Sequence, residues 1–208
     1  MSCISKSVCK LCRRENVKLF LKGDRCLSDK CAFERRPYPP GQHGQARLKF
    51  SEFALQLREK QKAKRYYNIS EKQFRGNFKK ADSSKEVTGM ALLKSLELRL
   101  DNVVYLLGFG ESRRDARQVV SHGHILLNGS TVNIPSLLLK KGDKLSINPA
   151  SLASVKFKSM LEKISSKTRP SWLKYDGATS DGYVIDAPRR DEVTLPVEEN
   201  MIVEYYSR

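Results

Sequence analysis

SRRDARQVVSHGHILLNGSTVNI, running from Ser112 to Ile134, changes its hydrophobic period halfway along. Ser112 is placed to cap a helix, with Asp115 three residues on as its capping partner, and Ala116, Val119 and Val120 recur at the spacing of one helical face. Arg113, Arg114 and Arg117 are expected to face outward, and the helix to stop at Gly123. On either side of Asn128-Gly129 the residues turn apolar, and that dipeptide supplies the two positive φ angles of a type I′ turn, so HILLNGSTVNI reads as a hairpin. Arg113 and Arg117 sit one turn apart, where two guanidiniums can fork onto successive phosphates near the positive end of the helix dipole. A helix feeding a hairpin makes the fold α+β.

Outward from this stretch, LLLKKGDKLSI offers a turn at Lys141 to Asp143 and a further strand, and a helix is expected from Leu152 to Ile164. Trp172 reads as a packing anchor. Upstream, Leu93, Leu96, Leu100, Val103, Val104 and Leu107 recur at helical spacing and are stopped by Gly108 and Gly110. Ser70 with Gln73 signals a further helix, with Phe74, Phe78 and Ala81 on one side and Lys72, Arg75, Lys79 and Lys80 on others. Ser51 can cap a helix through FALQLREKQKAKRYY, where Phe53 and Leu57 mark the apolar stripe and Arg58, Lys60, Lys62, Lys64 and Arg65 crowd the later turns. With Glu52 and Glu59 the only acids at hand, that cluster is a candidate phosphate track.

Closer to the start, CKLC places Cys9 and Cys12 two residues apart, and CLSDKC places Cys26 and Cys31 four apart. Two such knuckles can bring four thiolates to one tetrahedral zinc, with no coordination site left open for a substrate, so the metal is expected to be architectural. An iron–sulfur cluster is the alternative thiolate-held group, and disulfides are disfavoured in a reducing compartment. Arg13 and Arg14 lie between the pairs and give the knuckle a basic surface, while Cys3 is left over as a free thiol. The segment is too poor in apolar side chains to fold by burial, so the metal is expected to fold it. ERRPYPPGQHGQAR, at 34–47, reads as a connecting loop.

Charge distribution points to the partner. The chain of 208 residues carries a formal net charge of +16, and residues 1–80 hold 21 Lys/Arg against 7 Asp/Glu while the remainder hold 18 against 16. Solubility needs less than this, whereas a polyanion relieves the self-repulsion and releases counterions on binding. No apolar run approaches the length of a membrane span, and the first residues lack the apolar core of a secretory signal, so a cytosolic setting without membrane contact is expected. No pair of carboxylates and no Ser/His/Asp setting suggests catalysis, so no enzyme is expected.

PGQHG (Pro40–Gly44), LREKQKAKR (Leu57–Arg65), RLDNVVY (Arg99–Tyr105), SRRDARQVVSHGHILLNGSTVNIPS (Ser112–Ser136), RPSWL (Arg169–Leu173) and the closing VEYYSR together resemble, over nearly the whole chain, the bacterial small-ribosomal-subunit S-four family. The four-cysteine start is similar to its zinc-bearing branch. The resemblance implies a mostly helical domain with an N-terminal zinc knuckle, and an inserted helix-hairpin RNA-binding module with a small antiparallel sheet. The expected division is 1–45 for knuckle and connector, 46–97 for the helical domain completed by 175–208, and 98–174 for the module and following helix.

By the same resemblance the function is that of a structural constituent of the subunit, an early binder of 16S rRNA that nucleates the subunit body and influences decoding accuracy with protein S-five. Protein S-three and messenger RNA entering the subunit are further implied partners. RNA contact is carried onto Gln42, His43, Arg58, Lys60, Lys62, Arg65, Arg75, Arg99, Arg113, Arg117, His122 and Asn128. The cation clusters themselves add Arg13, Arg14, Lys64 and Arg114. Arg99 and Asp101 have an alternative reading as a structural pair, and His122 as a structural group. At Leu106 the family commonly carries a basic residue, so this position is not expected to touch RNA. A free-standing RNA-binding translational regulator would share every basic feature and is the alternative function.

Overall fold

A computed structural model describes residues 7–46, 49–164 and 167–207; Cys3 and Arg47 lie outside them. In chain order the elements are helices α1 (Cys9–Glu15), α2 (Ala32–Arg35), α3 (Glu52–Tyr66), α4 (Glu71–Asp82), α5 (Thr88–Glu97), α6 (Leu100–Leu107) and α7 (Arg113–Ser121), then strands β1 (Ile125–Leu127), β2 (Ser130–Val132) and β3 (Lys144–Ile147). Helices α8 (Pro149–Leu152) and α9 (Val155–Ile164), strands β4 (Leu173–Asp176) and β5 (Asp181–Val184) and helix α10 (Glu199–Ser207) complete the chain. Two compact units result, one of residues 1–92 with 195–208 and one of residues 93–194.

The first unit is helical. Ser51 caps α3 by accepting from the Ala54 N–H at 3.3 Å, and Ser70 caps α4 by accepting from Gln73 N–H at 3.3 Å. Phe74, Phe78 and Ala81 form the buried face of α4, and the Tyr206 ring of α10 stacks 4.6 Å from Phe78, so these aromatics are core as their spacing indicates. On α3 the expected stripe is wrong. Its buried residues are Gln56, Lys60, Ala63 and Tyr66, whereas Phe53 is exposed. The reason is α10, which packs along α3 and offers polar partners: Gln56 Nε2 donates to Glu204 Oε2 at 3.0 Å, and Lys60 meets the Tyr205 hydroxyl. The closing ENMIVEYY thus forms a helix.

In the second unit Ser112 caps α7 by accepting from Asp115 N–H at 3.2 Å, and the Asn128-Gly129 turn has φ of 50° and 86°, as the dipeptide requires. The sheet runs β2-β1-β3-β5-β4, every neighbouring pair antiparallel. Leu100, Val103, Val104 and Leu107 of α6 pack with Val119 and Val120 of α7, Ile125 and Leu145 of the sheet, Phe157 and Ile164 of α9, and Trp172. Gly182 of β5 is required there, since a Cβ would lie 2.4 Å from Leu107 Cδ1. The single helix expected over 152–164 is two, divided at Ala153-Ser154, with Asn148 capping the Pro149 turn. The 174/175 boundary also moves. β5 pairs with β3 and β4 with β5, which carries the stretch up to Thr194 into the sheet-bearing unit, and the helical unit resumes at Leu195.

Candidate nucleic-acid interface

Five cations of α3 were the first candidates, and each has an acid. The Lys60 Nζ is buried, donates to Glu71 Oε1 at 2.7 Å and sits 4.4 Å from the Tyr205 ring centroid. Lys64 donates to the other Glu71 oxygen at 2.9 Å, and Tyr206 donates its hydroxyl to Glu71 at 2.9 Å. Burial alone would raise the Glu71 carboxyl, but the hydrogen bonds from Lys60, Lys64 and Tyr206 outweigh it and hold its pKa at about 2. Burial and the adjacent Glu71 carboxylate push the Tyr206 phenol well above its usual range. Arg58 reaches the buried Glu15 of α1 at 3.3 Å, Arg65 pairs with the same oxygen, and Lys62 meets Glu59 at 2.5 Å. Glu15 and Glu71, which lie outside the α3 sequence, supply the acids that Glu52 and Glu59 alone could not. Lys60 is thereby corrected from a phosphate contact to a frame residue, because a buried cation already salt-bridged has no free face.

The module repeats this pattern. Arg99 is 2% exposed and forks onto Asp101, Nε to Oδ1 at 3.0 Å and a terminal nitrogen to Oδ2 at 2.7 Å, so the pair is the structural brace. Arg117 joins the same Oδ2 at 3.1 Å and keeps about a third of its side chain exposed. Arg113 does not face outward. It is buried, donates Nε to Asn102 Oδ1 at 2.8 Å and stacks 4.5 Å from the Tyr105 centroid. Arg113 and Arg117 therefore share a helix face, as their spacing requires, but they converge on the start of α6. Asn128 spends both ends of its amide in the fold, donating to Asp143 and accepting from Lys144 N–H at 2.9 Å. Arg114 and His122 are exposed on α7 and just after it. Leu106, partly buried, packs against the core cluster.

Toward the amino end, Arg13 donates Nε to the Tyr38 carbonyl at 2.9 Å and lies over its ring, whereas Arg14, Gln42 and His43 are exposed. Among the sixteen RNA candidates the exposed ones are therefore Arg14, Gln42, His43, Arg75, Arg114, His122 and Asn128. Beside Arg75 the structure exposes Lys72, Lys79 and Lys80, which their spacing sets off the apolar side of α4.

Cys9, Cys12, Cys26 and Cys31 line one cleft with Lys22 and Arg25, and all four thiols are free of disulfides. Cys9 and Cys12 ride on α1, Cys26 ends a 3₁₀ turn, and Cys31 immediately precedes α2. The Lys22 N–H points at Cys26 Sγ, 3.4 Å away. Burial pushes the Cys12 and Cys26 thiols up, partly offset by backbone N–H donors from Leu19 and Lys22. By kind and by shared cleft the donor set fits one thiolate-bound ion. Among the described residues, however, no three His, Cys, Asp or Glu groups are gathered at coordinating separation. Among those residues no helix is long and apolar enough to cross a membrane.

Two family models match the chain in succession, changing over at 97/98, five residues after the break between the two structural units at 92/93. The family model described as Ribosomal protein S4/S9 N-terminal domain matches residues 4–97, and that described as S4 domain matches residues 98–145. Small ribosomal subunit protein uS4A of Bdellovibrio bacteriovorus is 64% identical over the full length of both chains. The uS4 protein of Anaeromyxobacter sp. strain K is 52% identical over the same extent, and that of Pelotomaculum thermopropionicum 54% over 97% of each chain. Matched along its length to these relatives, and by two successive family models to the units that carry its brace and its capped helices, the chain belongs to the family of small ribosomal subunit protein uS4.

Proposed function

We propose that this chain is a non-enzymatic structural constituent of the bacterial small ribosomal subunit, in the cytoplasm, which binds 16S rRNA early and nucleates the subunit body. The observation that carries the reading is the division of labour among the cations. Those on α3 and at the start of α6 and α7 brace the frame through Glu15, Glu71 and Asp101, and a separate set stays exposed on it. Cations fixed on a rigid scaffold suit folded RNA, whose duplexes hide their major-groove edges and are read by shape and phosphate position. Proteins S-five, with an influence on decoding accuracy, and S-three, together with messenger RNA near its way into the subunit, are the neighbours this reading assigns. Zinc held by Cys9, Cys12, Cys26 and Cys31 would tie α1, the 3₁₀ turn and α2 together; the residues are there to supply four thiolates.

Chemical footprinting of the purified protein on naked 16S rRNA, with and without chelator, tests target and metal together. Protection confined to one multi-helix junction and weakened by chelator is expected; diffuse protection would overturn the reading. Sedimentation of the protein with free messenger complexes rather than with the small subunit would favour a regulator.

A further inference from the structure

We infer that the outer face of α4 is the surface by which the helical unit grips the sugar-phosphate backbone of structured RNA; this rests on the RNA-binding function proposed above and locates it. The core side of α4 is fixed by Phe74, Phe78 and Ala81. At 100° per residue, Lys72, Lys79 and Lys80 fall on the side away from that core and Arg75 about a quarter turn from it, the four spanning about 12 Å of helix. All four are exposed, and among the described residues none is paired with an acid. That is the reverse of α3, where Arg58, Lys60, Lys62, Lys64 and Arg65 are all bonded to carboxylates. The only acid of the first turn of α4, Glu71, is occupied by Lys60 and Lys64, so it leaves the stripe unneutralised.

A second observation concerns Gly76, which lies in the middle of this stripe. A Cβ there would meet nothing within 4 Å, so no packing inside the protein calls for glycine in the interior of a helix. Glycine is the residue that lets another backbone come close. Flanked by Lys72, Arg75, Lys79 and Lys80, it leaves a shallow floor between cations on which a phosphodiester strand can settle. Like charges three and four residues apart repel one another in the free protein, and a polyanion laid along them removes that repulsion.

The test replaces all four cations in the full chain (Lys72→Gln, Arg75→Gln, Lys79→Gln, Lys80→Gln). Glutamine is close to lysine and arginine in helix propensity, and circular dichroism verifies the fold. Affinity for a 16S rRNA transcript is measured between 50 and 200 mM salt. Since four phosphates then go unneutralised, the slope of log affinity against log salt should become shallower by about 3 to 4, and affinity at 200 mM should fall on the order of 10²-fold. The pair Lys62→Gln with Lys64→Gln, on α3, should leave the slope within about one of the unaltered protein. An unchanged slope in the fourfold variant, beside specific binding by the unaltered protein, overturns the assignment of this face alone. Absence of any preference for rRNA in the unaltered protein overturns the proposed function with it. Capture on phosphatidylserine vesicles that the fourfold variant loses, with an unchanged RNA slope, would give the face to a membrane and also overturn the inference.

Discussion

Replacing Asp101 by alanine should strongly destabilise the sheet-bearing unit, because the residue is buried and serves as the counter-charge of a buried arginine. Arg99 is 2% exposed and Asp101 4%, and two charge-assisted hydrogen bonds of 3.0 and 2.7 Å join them. Asp101→Ala leaves the Arg99 guanidinium in the interior with no counter-charge and strips Arg117 of its 3.1 Å partner. Breaking a buried pair by deleting one member costs about 3 to 5 kcal/mol, against a total of about 5 to 15 for a domain. The chain's one tryptophan, Trp172, lies 2% exposed in the same core, so its fluorescence reports on this unit. With a urea dependence near 1.5 kcal/mol per molar, the midpoint should fall by about 2 to 3 M. Arg117→Ala, which leaves the Arg99 pair intact, should cost under about 1 kcal/mol. A loss below about 1 kcal/mol for Asp101→Ala would refute the brace and return Arg99 to the RNA candidates.

Other substitutions probe the helical unit. Glu71 has its folded pKa depressed to about 2 from an ordinary 4.5, so the stability it contributes is complete above pH 4.5 and lost as pH falls toward 2. Glu71→Gln should flatten the pH dependence of helix melting in that window; an equally steep dependence would separate acid sensitivity from this carboxylate. Gly76→Ala should stabilise the free protein by about 1 kcal/mol in thermal melts, since its Cβ meets nothing, and an unchanged or lowered Tm would expose a constraint in the helix itself. Cys26→Ser should release the proposed zinc, read by elemental analysis of the purified protein, and loosen residues up to about 40. Retention of stoichiometric metal by that variant would contradict the four-thiolate site.

Local signals were legible and distant ones were not. Ser51, Ser70 and Ser112 announce their helices because a cap is a bond between neighbours, and Asn128-Gly129 announces the hairpin because two positive φ angles are a property of those two residues. The fate of Arg58 and Arg65, and part of that of Lys60, depended on partners far along the chain. Arg58 and Arg65 find Glu15 from 43 and 50 residues away, and Lys60 finds Tyr205 across 145. No window of helix periodicity around α3 contains Glu15 or Tyr205, so in sequence its cations read as a largely unpaired run. The apolar stripe of α3 failed for the same reason, since α10 supplies polar neighbours that make Gln56 and Lys60 the inward residues. The boundary near residue 175 was missed because β5 joins β3, a pairing set by the sheet rather than by its own short sequence. On α4, by contrast, both the core side and the exposed cations follow from spacing alone.

Competition between 16S rRNA and an unrelated transcript of equal length for the full-length, metal-replete protein tests the central claim most directly. Units each braced from within, presenting their remaining cations, should hold the ribosomal RNA at least about 10³-fold more tightly at physiological salt, the low end of the gap between specific and non-specific nucleic-acid binding. Equal affinity for the two transcripts would reduce the exposed cations to non-specific charge and contradict the account.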